Sequence, residues 1–530
     1  MPTSNKTALH DVFIGIDLGT TGVKACVLST QGDPVVHAQV YSFPLLSSNP
    51  GWAEQDPELI FEAMLSCVRS VAQKAGIPAQ QVAAISIGSA LHSLLAVDGK
   101  GRPLSNVITW ADNRSARQAL ALKNSAAGSM LYQRTGMPLH AMSPLPKIMW
   151  LRDERRELFD SAAKFISIKE YVLQKLCGSY VVDYSTASGT GLFNLSRRNW
   201  DDEALDVAGI RPAQLSSLAS PMEVIRCRIH RDFALAMGLP ADVHVVLGAS
   251  DAILSHLGVG AFEPSSCSVT IGTSSGLRAF VSAPIVDATS GGTFCYAFSE
   301  GRWLVGCPCS TGGIALRWFT ENFPGISDRG KQPSKQNPLE AEIESALKIP
   351  IGAEGLLFLP FITGERAPGR TPYARGVFFG ASLHHKREHF VRAIVEGIIL
   401  SVHSLYVPLE RLGVKADESR VSGGFAGTPQ IRQIMADVFG HDIVIPNVSE
   451  ACSYGAALLA MHALGVLPEL SDIPKQVQIG DRRHSDNDRN RAYTTLAELF
   501  ESVYQQLEPS FTALASLRES QINRENEEYL

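Results

Sequence analysis

Hydrophobic positions along this chain alternate between short unbroken runs and longer runs with helical spacing. Residues 13–17 form a run of strand length, Gly19-Thr20-Thr21-Gly22 turns the chain, and residues 23–29 resume as a second strand ending at the turn Gln31-Gly32-Asp33-Pro34. The same pattern recurs roughly 250 residues later. Residues 268–271 are apolar and β-prone, Gly272-Thr273-Ser274-Ser275-Gly276 turns, and residues 277–281 resume. Gly-Thr-Thr-Gly-Val-Lys-Ala and Gly-Thr-Ser-Ser-Gly-Leu-Arg-Ala differ by one inserted residue, and a repeat with so long a spacing implies two like domains rather than a solenoid. Residues 82–87 and 243–248 read as further buried strands, and residues 57–75 and 387–412 carry helical spacing. Strands alternating with helices predict an α/β layered fold.

With 530 residues, 45% apolar and 19% charged, the chain fills more than one core, so two domains and a tail are expected: 11–250, 251–474 and 475–530. The tail turns polar but regains helical spacing over 496–517, which predicts a peripheral helix, and residues 327–338 read as an exposed loop. The 47 basic and 53 acidic side chains leave a net charge of −6, which argues against a nucleic-acid or anionic-membrane surface, so an anionic ligand must be held locally. The apolar stretches 243–262 and 454–467 are interrupted by Asp251 and His256 or are too short to span a bilayer. The first residues lack the basic start and apolar run of a signal peptide, and nine scattered cysteines form no paired framework; reduced thiols in the cytoplasm are the expectation. Cys307 and Cys309 have no second pair nearby, so no structural zinc site is expected.

The first hairpin turn places Asp17 at a strand end beside Gly19, Thr20 and Thr21, whose unhindered N–H groups and hydroxyls suit phosphate oxygens. Asp17 is a candidate to hold Mg²⁺ through water. One Gly-Thr turn is an ordinary hairpin turn; the second copy, with Gly272, Thr273 and Ser274, makes a pair able to clamp the phosphates of a nucleotide. Gly423 and Gly424 precede an apolar-periodic helix over 430–439, so backbone there can approach a nucleotide, although the segment has no Walker Gly-Lys-Ser/Thr. Asp251 follows the buried run 243–247, where it is a candidate general base for a substrate hydroxyl, a second candidate metal ligand and equally a helix cap. Trp110-Ala111-Asp112-Asn113-Arg114, with His92 upstream, combines an aromatic plane with hydroxyl- and carboxylate-binding groups, as a sugar site requires; a surface loop with one packed Trp is the alternative.

These residues together resemble the actin, hexokinase and chaperone ATPase fold, and within it the FGGY carbohydrate kinases. The sharpest match is residues 142–154, Met-Ser-Pro-Leu-Pro-Lys-Ile-Met-Trp-Leu-Arg-Asp-Glu, which fits that family's first signature. Residues 376–396 fit the second, with Ala381 where a larger aliphatic is usual. The resemblance covers about residues 13 to 467. It implies two ribonuclease-H-like domains flanking a nucleotide- and sugar-binding cleft, ATP and Mg²⁺ as cofactors, and a sugar or sugar acid as the partner molecule, with a homodimer as the candidate assembly. By that resemblance Asp251 is the catalytic base. Asp17, Gly19, Thr20, Thr21 and Lys24 belong to the first phosphate turn, and Gly272, Thr273 and Ser274 to the second. Gly313, Arg317, Gly423, Gly424 and Thr428 line the nucleotide, and His92, Trp110 and Asp112 the sugar.

Three segments, 140–147, 166–171 and 182–193, look most like gluconate kinases, whereas Leu91-His92-Ser93 departs from the Met-His-Gly common in xylulose kinases. Ser310-Thr311-Gly312-Gly313 departs from a more usual Asn-Gly-Gly. The implied reaction is ATP-dependent phosphorylation of D-gluconate to 6-phospho-D-gluconate, with a xylulose or other pentulose or polyol kinase as the alternative and a non-catalytic or chaperone-like ATPase of the same fold as the second. A sugar acid also needs a cation, for which Arg114, Lys147 and Lys169 are the candidates.

Overall fold

The computed structural model describes residues 12–31, 33–289, 291–324, 338–367 and 369–528. Gly32 of the predicted turn and residues 327–337 of the predicted loop lie outside the described residues. The chain divides into two compact units whose segments interleave: residues 1–264, 279–305 and 446–478 form the first, and 265–278, 306–445 and 479–530 the second.

The first unit is built on β1 (Val12–Leu18), β2 (Gly22–Ser29), β3 (Pro34–Ser42), β4 (Val82–Ser89), β5 (Val224–Ile225) and β6 (His244–Val246), ordered β5-β6-β4-β1-β2-β3. β1 and β2 form the predicted antiparallel hairpin, while β1, β4 and β6 run parallel. The two-residue period of the strands splits their side chains between two cores. Ile14, Ile16, Val23 and Ile85 join Phe61, Met64 and Val68 of the helix Pro57–Ala75 on one face. Phe13, Cys26, Leu28 and Ala84 join Ala456, Ala457 and Leu459 of the helix Ala451–Ala463 on the other.

The helix Pro57–Ala75 begins where sequence rules place it. Asp56 accepts from the Glu58 N–H at 2.8 Å, Pro57 occupies the first helical position, and Gly76 ends the helix at φ 62°. The helices Asp251–Gly258 and Ala451–Ala463 approach through glycine. A methyl at Gly258 would overlap the Ala451 carbonyl, and one at Gly455 the Leu254 carbonyl. Gly15 of β1 meets the Ser453 carbonyl in the same way, so one helix locks both β1 and the helix that begins at Asp251.

In the second unit five strands run in the order β8-β7-β9-β10-β11, where β7 is Ser266–Ile271, β8 Ser275–Val281, β9 Glu418–Ser422, β10 Asp442–Pro446 and β11 Ile479–Arg483. β7 pairs antiparallel with β8 and parallel with β9, repeating the arrangement of β1 with β2 and β4. The stretch Arg387–Arg411 is long and apolar enough to cross a membrane by composition, but it is mostly buried, as befits a core helix. Its helical run stops at His403 and resumes at Tyr406 rather than continuing unbroken to residue 412.

The C-terminal helix Asn487–Glu528 buries Tyr493, Phe500 and Tyr504 in this unit. Tyr493 accepts from Arg392 and donates to Glu396, both at 2.9 Å, and the Tyr504 hydroxyl accepts the Thr371 N–H at 2.8 Å. Cys177 and Cys227 lie side by side with Cα atoms 5.5 Å apart; their 50-residue separation hid this pairing from any spacing rule. The seven other cysteines are buried and form no disulfide.

Candidate active site

Parallel strands bring their carboxyl ends to one edge of a sheet, and in the first unit that edge collects the candidates. Asp17 ends β1, His92 follows β4, and Asp251 follows β6. A parallel bridge from Ser89 to Ser250 extends the β4–β6 side up to the residue before Asp251.

Asp17 Oδ1 is buried with no hydrogen-bond partner. Burial raises the Asp17 carboxyl above its ordinary value, against a hydrogen bond from the Cys452 thiol and the charge of Lys24. Cys452 lies within electrostatic reach of both Asp17 and Asp251, and burial first, then those two carboxylates, pushes its thiol well up. An orphaned carboxylate oxygen is a donor that fits a hard divalent cation. Among the described residues no group of three or more His, Cys, Asp or Glu converges as a metal cage. Magnesium ordinarily takes one or two carboxylates with water and phosphate, so the single open oxygen of Asp17 suits it.

The turn after Asp17 is tightened by the Gly19 N–H donating to the Gly22 carbonyl at 3.1 Å. Thr20 is tied to the loop that carries Trp110, its hydroxyl accepting from Trp110 Nε1 at 2.8 Å, and its carbonyl accepts from Gln55. Thr21 accepts the Phe43 N–H through its carbonyl at 3.3 Å, and Lys24 is paired with Glu450 at 2.8 Å. His92 sits at φ 69°, a left-handed conformation unusual for a residue with a side chain. Contacts on both sides hold it: Nδ1 meets the Gly189 carbonyl at 2.7 Å, Nε2 meets the Tyr296 hydroxyl at 3.5 Å, and Lys147 donates to the His92 carbonyl at 2.6 Å. Asp251 is half-buried at the first turn of its helix, where its Oδ1 accepts the Ala252 N–H at 2.8 Å.

The three cations expected to meet a sugar carboxylate are spent on internal partners. Lys147 has no exposed surface and also donates to the Thr109 and Met142 carbonyls, each at 2.8 Å. Burial above all brings its ammonium down to about 7, with Asp112 raising it and Arg114 lowering it. Arg114 is 4% exposed, bonded to Asp112 at 2.7 Å and Glu54 at 2.6 Å, and lies 3.6 Å over the Trp52 ring. Lys169 is fully buried against Asp183 at 2.8 Å. These lysines and the arginine brace the loops around the site; a sequence shows the positive charge but not the partner that neutralises it. Asp112, likewise buried, is engaged by Arg114 and by the Ala53 N–H at 2.7 Å.

In the second unit Gly272, Thr273 and Ser274 form the turn between β7 and β8, with the Gly272 N–H donating to the Ser274 carbonyl at 2.9 Å. Gly313 donates its N–H to the Gly272 carbonyl at 2.7 Å, and the helix Ile314–Asn322 starts there, so a helix N-terminus adjoins the turn. Arg317 is exposed on that helix. Gly423, at φ 98°, packs on the Ile271 carbonyl, and the Cβ positions of Gly424 and Gly427 face open space. The Thr428 hydroxyl caps the helix Pro429–Phe439, accepting the Ile431 N–H at 3.3 Å.

Sequence reasoning overlooked Glu365. Its buried carboxylate accepts the N–H groups of Ser310 at 2.6 Å, Thr311 at 3.2 Å and Ala367 at 3.0 Å, and the Thr311 hydroxyl at 2.8 Å. It thereby fixes the loop that leads into Gly313. Cys309 donates its thiol to the same carboxylate at 3.2 Å, which places this cysteine in a hydrogen-bond network. A lone Glu between Gly364 and Arg366 carries no spacing signal.

Residues 12–258 match the model of the N-terminal domain, and residues 267–464 that of the C-terminal domain, of the FGGY family of carbohydrate kinases. The chain is 37% identical to the gluconokinase of Bacillus subtilis (strain 168) over 504 residues, covering 95% of this chain and 97% of the relative. The crystal structure of a gluconate kinase from Lactobacillus acidophilus superposes with a TM-score of 0.88 at 33% identity, over 95% of this chain and 99% of that one. A ligand-bound xylulose kinase structure from the same species gives a TM-score of 0.89 at 33% identity, with the same 95% and 99% coverage. With both domain models matched in order and a relative aligned along nearly the whole length, the chain belongs to the FGGY family of carbohydrate kinases.

Proposed function

We propose that this kinase transfers the γ-phosphoryl group of ATP to the terminal hydroxyl of D-gluconate, giving 6-phospho-D-gluconate. The observation that carries the substrate is the 37% identity to a gluconokinase across 95% of the chain. Asp251, half-buried at a helix start on the carboxyl edge of the first sheet, orients the sugar hydroxyl and takes its proton. Thr20 and Thr21 in the first unit, and Gly272, Thr273 and Gly313 in the second, offer hydroxyl and N–H donors for phosphate oxygens. Asp17, with its unpartnered oxygen, holds Mg²⁺, which when bound neutralises phosphate charge. His92 and Trp110 face the sugar, while Arg114, Lys147 and Lys169 keep the surrounding loops in place.

A xylulose kinase is the second reading, favoured by the equally similar ligand-bound xylulose kinase structure. Steady-state assays with gluconate, xylulose and glycerol decide between the two. Gluconate is expected to give the highest kcat/KM; preference for xylulose overturns the substrate assignment. Asp251→Asn is expected to lower kcat by at least about a hundredfold while ATP still binds, and normal turnover by that variant removes Asp251 from the role of base.

A further inference from the structure

A buried polar relay reaches Asp251 from behind. Lys169 Nζ donates to Asp183 Oδ2 at 2.8 Å, and neither side chain has exposed surface. Thr186 Oγ1 donates to the same oxygen at 2.7 Å. Asp183 Oδ1 accepts the N–H groups of Ser185 at 2.9 Å and Thr186 at 3.0 Å, capping the short helix Tyr184–Ser188, and it also accepts the Ser185 hydroxyl proton. With its proton committed to the carboxylate, Ser185 Oγ accepts the N–H of Ser250 at 2.8 Å. Ser185 and Ser250 are both fully buried.

Ser250 is the N-cap of the helix that begins at Asp251, yet its own side chain makes no capping bond and its hydroxyl is without a partner. The start of that helix is therefore anchored from outside, by a hydroxyl two residues past a buried aspartate. A hydroxyl that donates to a carboxylate is a stronger acceptor than a free one, and a buried carboxylate stays charged only beside a cation.

We propose that Lys169, Asp183 and Ser185 form a positioning relay that fixes the Ala249–Ser250 peptide, immediately before Asp251, and thereby aims the Asp251 carboxylate at the substrate hydroxyl. This rests on the reading of Asp251 as the base. None of the three touches substrate; each acts through its neighbour. The relay gives Lys169 a task in catalysis different from binding a sugar carboxylate, and it makes use of Ser185, a residue otherwise unremarked. Asp183 caps its helix through backbone N–H groups that remain when the Ser185 hydroxyl is removed, so the link to Ser250 is separable from the fold of that helix.

The test is a series at residue 185 in the full chain, assayed on whichever sugar the wild type phosphorylates best. Ser185→Ala is expected to lower kcat on the order of tenfold, with KM for ATP and sugar nearly unchanged, and Ser185→Thr to restore it. A purely structural role would instead lower the folded fraction, which thermal unfolding reads. If Ser185→Ala fails to fold, the near-isosteric Ser185→Cys decides: an intermediate kcat supports the relay and a wild-type kcat overturns it. Wild-type kcat in Ser185→Ala also overturns it. Running Asp251→Asn alongside separates the two claims. An inactive Asp251→Asn with an unimpaired Ser185→Ala sinks the relay alone, whereas a fully active Asp251→Asn sinks the base assignment and the relay with it.

Discussion

Lys147 has no exposed surface, and its ammonium serves the carbonyls of His92, Thr109 and Met142, three segments far apart in sequence. One of those carbonyls belongs to a residue in a left-handed conformation, so the lysine holds His92 against its own backbone preference. Lys147→Met keeps the length and loses all three donors. It is expected to cost about 3 kcal/mol or more, because buried acceptors left unpaired forfeit their full solvation; chemical denaturation reads the loss, and an unchanged midpoint would show that the three bonds are dispensable. At this scale the sequence was a partial guide. It picked out Lys147, Arg114 and Lys169 as charges near a sugar loop, but each has a partner, respectively three carbonyls, Glu54 with Asp112, and Asp183, that only folding brings within reach. Glu365 escaped notice for the converse reason: its significance lies in the N–H groups that converge on it, and those are invisible until the loop has its shape.

Among the elements, the helix Ala451–Ala463 matters most to the first unit's site. It meets β1 at Gly15 and the Asp251 helix at Gly258 and Gly455, and it carries Cys452 to the two aspartates. From helix propensity alone Gly455→Ala gains up to about 1 kcal/mol. The contact decides otherwise, since the added methyl would overlap the Leu254 carbonyl, which is backbone and cannot yield cheaply. The expected net effect is a loss of about 2 kcal/mol in denaturant unfolding; a stabilised variant would mean that the helices do not touch there. The hairpins, the helix Pro57–Ala75 and the buried strand β4 were legible in the sequence because local pattern and turn chemistry agree there. The helix Ala451–Ala463 is apolar nearly all round, so it offered no amphipathic face from which to read its neighbours.

At the scale of the molecule, stability depends on pH through groups that fold into a different protonation state. His441, in the second unit, bonds Ser419 at 2.8 Å, and burial, with His403 adding to it and Asp442 opposing, lowers its imidazole from 6.5 to about 4. Between those values the unfolded chain binds the proton and the folded chain does not. Its contribution is therefore complete above the unfolded value and is lost as pH falls toward about 4. Going from about pH 7 to about pH 5 is expected to cost about 2 kcal/mol of unfolding free energy, and His441→Gln to flatten that slope in urea titrations; an equal slope in both proteins would refute the assignment. Taken by itself, the sequence determined the α/β layering, the two copies of the hairpin turn and the place of Asp17, Thr20, Thr273 and Asp251 at strand or helix ends, since these follow from periodicity and turn residues within a dozen positions. Tertiary structure alone decided the interleaving of the two units, the pairing of Cys177 with Cys227 and the employment of every candidate cation. The reason is physical: a side chain's charge is written in its own residue, but whether that charge is available depends on what the rest of the chain has placed beside it.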